Sequence, residues 1–200
     1  QNFSVDNLMG RELNTMAIGI IGTGHIGLTT AKVFKAFGAK IIAYDTFENP
    51  QAQGILEYKS LDEVFAESDL ISLHVPLTPQ NHHIINAESI AKMKDGVVIV
   101  NTARGGHINT ADLRDALVSG KVAAAGLDVI ENEKHLIRKD LSGRIIKDSV
   151  YRDLSNFPNV IITPHVAFNT DVAVQNMVKM STENLISFKN AGTTDNEITK

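Results

Sequence analysis

Along the 200 residues, apolar positions gather into short β-branched runs separated by amphipathic or polar stretches. Six runs read as buried strands: Ile18-Gly19-Ile20-Ile21, Lys40 to Tyr44, Asp69 to Val75, Gly96 to Asn101, Val122 to Val129, and Val160 to Thr163. The run at 96–101 is apolar enough to be buried on both faces. Between them the period changes to that of a helix. Ile26, Ala31, Val33, Phe34 and Phe37 lie on a first helix that Gly38 stops. Ser60-Leu61-Asp62-Glu63 is a capping box opening a helix to about Glu67. Shorter helices are expected over 86–93, 110–119 and near 147–154. A long amphipathic one follows from Asn169 to Phe188, with Val174, Met177, Val178, Leu185 and Phe188 on one side. Residues 1–15 are polar with a turn at Gly10-Arg11-Glu12, 46–59 read as an irregular connection, and 131–157 are charged and poor in strand signals. Apolar strands alternating with helices predict an α/β protein with a parallel sheet covered on both faces.

The first strand runs directly into Gly22-Thr23-Gly24-His25-Ile26-Gly27, and the next strand ends at Asp45, 21 residues beyond Gly24. A glycine triplet alone is weak evidence. Here strand, turn, helix and acid occur together, as in a dinucleotide-binding βαβ unit. Gly22 serves the tight turn, Gly24 lets the backbone approach a pyrophosphate, and Gly27 lets the helix pack closely. Free N–H groups at the helix start hold the negative charge. Asp45 suits a ribose 2′-hydroxyl and repels a 2′-phosphate, and Thr46 and Phe47 supply no Arg, so NAD is expected over NADP. The fold expected is a Rossmann-type doubly wound parallel sheet with helices on both faces.

Composition narrows the rest. Net charge is −4 with mixed signs, which argues against a nucleic-acid or anionic-membrane surface. There is no cysteine, so disulfides and thiolate metal sites are excluded. No apolar run approaches a membrane span and the start does not read as a signal peptide, so a cytoplasmic protein is expected. The chain lacks an initiator Met, and a piece of something longer is expected.

Three polar groups follow predicted strands, where ligands bind in open α/β sheets. Asn101-Thr102-Ala103-Arg104-Gly105-Gly106 offers a guanidinium able to hold a carboxylate bidentately and stabilise charge on a reacting oxygen. Asp128-Val129-Ile130-Glu131-Asn132-Glu133 offers three carboxylates, and Thr163-Pro164-His165 an imidazole. Singly, each is as readily a surface or structural group. Beside a dinucleotide, an Arg, an acid and a His form the set that hydride transfer to a 2-oxo acid requires, because the alkoxide formed needs a proton and electrostatic support. A carboxylate near the His favours its imidazolium.

With GTGHIG, SLHVPLTPQNHHIIN, MKDGVVIVNTARGG, GLDVIENE and ITPHVAFNT in order over residues 10–188, the chain resembles the D-2-hydroxyacid dehydrogenase family, most closely its D-lactate dehydrogenase branch. Ala167-Phe168 and the long 133–165 interval favour that branch. The resemblance implies a catalytic trio of Arg104, Glu133 and His165, with His165 the proton donor paired with Glu133. Glu133 is preferred to Glu131 because the family's acid lies five residues after the Asp of its DV motif, here Asp128. It also implies that His25 and Ile26 lie against the pyrophosphate, Asp45 on the adenine ribose, and Val75-Pro76 near the adenosine, in a cofactor site shaped by Gly22, Gly24 and Gly27. Asn81, Thr102, Ala103 and Arg104 would line the nicotinamide side, with Asp128 reaching its amide. Substrates would be 2-oxo and 2-hydroxy acids, pyruvate and D-lactate first among them, in a homodimer. Alternatives are a D-2-hydroxyisocaproate-type enzyme for bulkier acids, a resistance-associated D-lactate supplier, or a non-catalytic NAD(H)-sensing module. His107-Ile108-Asn109 and Ile130 depart from the usual pattern. By the same resemblance, residues 1–168 are the NAD-binding domain and 169–200 a return helix and tail, with the N-terminal substrate domain absent and turnover by this piece alone poor. No metal site is expected: His82-His83 would point apart on an extended chain, and no acid completes a set with His74.

Overall fold

The computed structural model describes residues 9–136 and 139–198. Residues 1–8 of the polar lead-in, two positions of the charged segment and the last two of the tail lie outside the described residues. Residues up to Pro164 form one unit and those from His165 a second.

The first unit is built on seven strands: β1 (Ala17–Ile21), β2 (Lys40–Tyr44), β3 (Glu57–Tyr58), β4 (Leu70–Leu73), β5 (Val97–Asn101), β6 (Val122–Leu127) and β7 (Val160–Ile162). They pair in parallel in the order β3-β2-β1-β4-β5-β6-β7, so the order reverses between β1 and β4. Five helices connect them: α1 (His25–Ala36), α2 (Leu61–Glu67), α3 (Ala87–Lys92), α4 (Thr110–Ser119) and α5 (Ser149–Asn156). Side chains alternate across β1. Ile18 and Ile20 join Ala31 of α1 with Ile41 and Ala43 of β2, while Ile21 joins Val64 and Phe65 of α2, Ile71 and Leu73 of β4, and the core under α3–α5. Each wholly buried isoleucine contributes roughly 1.5–3 kcal/mol. The parallel sheet therefore has helices on both faces, as expected.

Several details differ from the sequence reading. The connection 46–59 holds a 3₁₀ turn at Pro50–Ala52 and the edge strand β3, paired with β2 through Ile42 and Ala43. Two residues without alternation carry no readable strand signal. β5 is not buried on both faces: Val97, Ile99 and Asn101 are buried, whereas Val98 and Val100 are half-buried. In α1 Ile26 and Val33 are exposed, as is Phe37 just past its end, and Gly27, Leu28 and Ala31 make the buried face. β4 stops at Leu73, and Asp69 before it serves as a tie, its carboxylate accepting from the Ala17 N–H (2.8 Å) and from Arg11 (2.8 Å).

The second unit contains one long helix, α6 (Asp171–Ala191), capped by Thr170, whose hydroxyl accepts from the Ala173 N–H, and ended by Gly192 in the left-handed region. The expected apolar positions Val174, Met177, Val178, Leu185 and Phe188 are present on it, but none is buried. No helix among the described residues is long and apolar enough to cross a membrane.

Candidate active site

Because all strands are parallel, their carboxyl ends share one edge, and the reversal between β1 and β4 opens a crevice there. The turn leaving β1 enters it. Gly22 has φ +97°, and a Cβ there would strike the backbone of His74; a Cβ on Gly27 would strike the Gly22 carbonyl. Only glycine permits the turn and the close approach of α1. Gly24 is different: nothing lies within 4 Å of where its Cβ would be, so its open side faces space that a ligand can fill.

The start of α1 supplies the charge logic. Among the described α-helices, α2 to α6 are each capped by a side chain, from Ser60, Asn86, Asn109, Asp148 and Thr170. α1 has none, and no acid lies in its first turn. Its N–H groups at Gly24, His25 and Ile26 are left for an anion, on the positive end of the helix dipole. His25 and Ile26 are exposed on that turn.

Asp45 follows β2 on the same edge. Its carboxylate accepts from the Thr23 N–H (2.6 Å) and hydroxyl (3.1 Å) and from the Phe47 N–H (3.2 Å). Partial burial would raise its pKa, but these hydrogen bonds outweigh burial and hold it below the usual carboxylate range. It is an anion at neutral pH. Thr23 is fixed in turn by Tyr58 of β3, whose hydroxyl donates to Thr23 Oγ1 (2.8 Å), and by Asn49, whose amide donates to the Thr23 carbonyl (2.8 Å). Sequence reasoning missed this support, because its donors come from the segment read as irregular. An uncapped helix start, an open glycine and an anchored carboxylate fit a dinucleotide with free ribose hydroxyls.

Past β4, Val75 packs beside Gly22, and exposed Pro76 opens a loop to Asn81. Both ends of the Asn81 amide are engaged within that loop: Oδ1 accepts from the Thr78 N–H and Nδ2 donates to the Pro76 carbonyl, each at 2.8 Å. His74 is half-buried, its Nε2 2.9 Å from Ser72 Oγ, and burial pushes its pKa down to about 4.

After β5, wholly buried Asn101 staples the next turn. Its Nδ2 donates to the Arg104 carbonyl (2.9 Å) and its Oδ1 accepts from the Ala103 N–H (3.0 Å). Thr102 and Arg104 are exposed at the crevice edge, and an Arg104 Nη1 donates to the Ala103 carbonyl (2.6 Å). The two glycines are wedged from both sides. A Cβ on Gly105 would strike the backbone of Ile130 and Glu131, and one on Gly106 would meet Leu77 at 2.9 Å. Beneath the turn His107 is fully buried, and neither ring nitrogen has a hydrogen-bond partner. Burial lowers its pKa more than the nearby carbonyls of Pro76 and Arg104 raise it. The unusual His of the sequence is a neutral core residue.

Beyond β6, Asp128 is buried, accepts from the Thr163 hydroxyl (2.5 Å), and donates its N–H to the Asn101 carbonyl (3.0 Å). Glu131 is turned to His83, with Nε2–H donating to Oε1 at 2.7 Å. Glu133 is half-buried and accepts from the Ile130 N–H (2.9 Å). His82 and His83 do not diverge as expected: His83 has φ +53°, the rings face each other, and Glu131 is the acid beside them. No spacing rule announces that contact, since 48 residues separate His83 from Glu131. In the second unit, His165 has φ +57°, a left-handed conformation uncommon outside glycine.

Comparison with known proteins identifies the family. Residues 1–167 match the family model of the D-isomer specific 2-hydroxyacid dehydrogenase, NAD binding domain. The chain is 49% identical over 197 residues to an aromatic 2-oxoacid reductase of Clostridium sporogenes, covering 98% of this chain and 60% of that protein. It is 47% identical over 191 residues to a D-lactate dehydrogenase of Lactiplantibacillus plantarum, covering 95% and 58%. The crystal structure of D-lactate dehydrogenase with NAD+ from Lactobacillus jensenii superposes with a TM-score of 0.90 at 37% identity, covering 98% of this chain and 58% of that one. The chain thus spans about three-fifths of the length of these relatives. With its uncapped α1, its glycine turn and its anchored Asp45, the chain belongs to the D-isomer specific 2-hydroxyacid dehydrogenases, as their NAD-binding domain.

Proposed function

We propose that the complete protein interconverts a small 2-oxo acid, pyruvate first, and the D-2-hydroxy acid. The observation that carries this reading is the Arg104 turn. Its backbone is stapled by Asn101 and wedged at Gly105, while the guanidinium stays exposed on the crevice edge beside the residues suited to the dinucleotide. An arginine so held can take the substrate carboxylate in a two-pronged grip and polarise the carbonyl oxygen. Bound NAD(H) supplies or accepts the hydride. His165 gives the proton to the developing alkoxide and takes it back in oxidation, and Glu133 favours its protonated form. Support for Glu133 over Glu131 comes from the His83 contact, which engages Glu131. Gly24, His25 and Ile26 hold the pyrophosphate on the turn that Gly22 and Gly27 make possible, and Asp45 holds the adenine ribose. Val75, Pro76, Asn81, Thr102, Ala103 and Asp128 complete the cofactor contacts. The D configuration and a homodimer rest on the family resemblance.

A second reading has specific support: the aromatic 2-oxoacid reductase is as similar as the D-lactate dehydrogenase, which favours a pocket for bulkier acids. Steady-state NADH oxidation by the complete protein, with pyruvate, an aliphatic 2-oxoisocaproate and an aromatic 2-oxo acid, separates the two. The highest kcat/KM is expected for pyruvate, and His165→Ala or Arg104→Ala should lower it by more than about 100-fold with every acid. An aromatic preference would install the second reading. Unchanged activity in both variants would sink the roles assigned.

A further inference from the structure

We propose that His82, His83 and Glu131 form a binding site for a divalent transition-metal ion of the zinc class, distinct from the cofactor crevice contacts described above. Neighbouring side chains on an extended chain diverge. Here the left-handed backbone of His83, φ +53°, swings the two imidazoles to one side, with centroids 3.8 Å apart and planes tilted by 34°. That conformation is pinned, because the His83 N–H donates to the Gly106 carbonyl and the His83 carbonyl accepts from Asn86 Nδ2, both at 2.9 Å. Glu131 reaches the pair from the loop after β6, whose backbone fills the space beside Gly105. One ligand atom from each of the three residues lies within 4.8 Å of the others. Glu131 Oε1 is 2.7 Å from His83 Nε2 and 3.8 Å from His82 Nε2.

An ion held at about 2.0–2.2 Å from nitrogen and oxygen donors spaces them roughly 3–3.5 Å apart. The observed separations bracket that value. Closing the set needs half-exposed His82 to move in and the His83–Glu131 hydrogen bond to open, its N–H proton released to water as the ion takes the nitrogen. Two imidazoles and one carboxylate are borderline donors, suited to zinc, nickel or copper and not to the all-oxygen shells of calcium or magnesium. With His82 at the surface, the remaining coordination positions open to water. A bound ion ties the segment before α3 to the loop after β6, on either side of the Arg104-Gly105-Gly106 turn.

The test is calorimetric titration of zinc chloride into the complete protein, free of any tag and stripped with chelator, with thermal melting in excess zinc alongside. Saturable binding of one zinc per chain is expected, weakened more than about 10-fold in His82→Ala and in Glu131→Gln, with a zinc-dependent rise in Tm only for the wild type. His82→Ala keeps the His83–Glu131 hydrogen bond and so should fold, which circular dichroism checks. His135 and His165 remain in both variants and report any non-specific uptake. No saturable binding, or affinity retained in either variant, would overturn the site.

Discussion

Just past β2 the Asp45 carboxylate is committed to the glycine turn, held by Thr23 and Phe47. Those donors keep it ionised, so one residue fixes the turn and, in the cofactor role proposed for it, presents a fixed negative charge to the ribose. Replacing it by Asn leaves an acceptor oxygen but removes the charge. NADH affinity in Asp45→Asn should therefore fall by roughly 10-fold. NADPH affinity should fall less or rise, because repulsion of a 2′-phosphate disappears. Fluorescence titration with both nucleotides measures the ratio, and an unchanged ratio would remove Asp45 from cofactor choice.

Among elements, the Arg-Gly-Gly turn depends most on its neighbours. Gly105 abuts the backbone of Ile130 and Glu131, and backbone cannot swing aside as a side chain can. Gly105→Ala should cost about 1–3 kcal/mol or more and displace Glu131 from His83, read by urea unfolding and by kcat/KM. Wild-type stability in this variant would contradict the wedge. The βαβ unit around α1 was legible in the sequence because strand period, glycine spacing and acid coincide in one short stretch. The capping box at Ser60 was equally plain, its Oγ accepting from the Glu63 N–H and Glu63 accepting from the Ser60 N–H. What escaped reading were contacts between distant loops. β3 is two residues long, Tyr58 reaches Thr23 across 35 positions, and Glu131 meets His83 across 48. Local pattern carries no signal for such pairs. The left-handed backbone of His83 had none either, because the residue is not glycine.

For the molecule as a whole, imidazoles drawn out of water lower stability in acid. Burial pushes the His74 pKa down to about 4 from an ordinary 6.5. Between those values the unfolded chain binds a proton that the folded chain does not. Stability is thus full above pH 6.5 and falls as pH drops toward 4, by on the order of 3 kcal/mol in total. His107, also lowered by burial, acts in the same direction, whereas the lowered carboxylates of Asp45 and Asp69 lose their contribution only below the ordinary 3.8. Thermal melts from pH 8 to 4 should show this decline, and His74→Gln should flatten it; a flat wild-type curve would contradict the burial account. The proposed chemistry is tested most directly by following the hydride. The complete protein is mixed with pyruvate and NADH fully deuterated at nicotinamide C4, and the product is separated by enantiomer and weighed. The account predicts D-lactate carrying one deuterium at C2. Tight NADH binding with no deuterium in the 2-hydroxy acid of pyruvate or of any bulkier 2-oxo acid would contradict it, leaving a domain that senses the cofactor without using it.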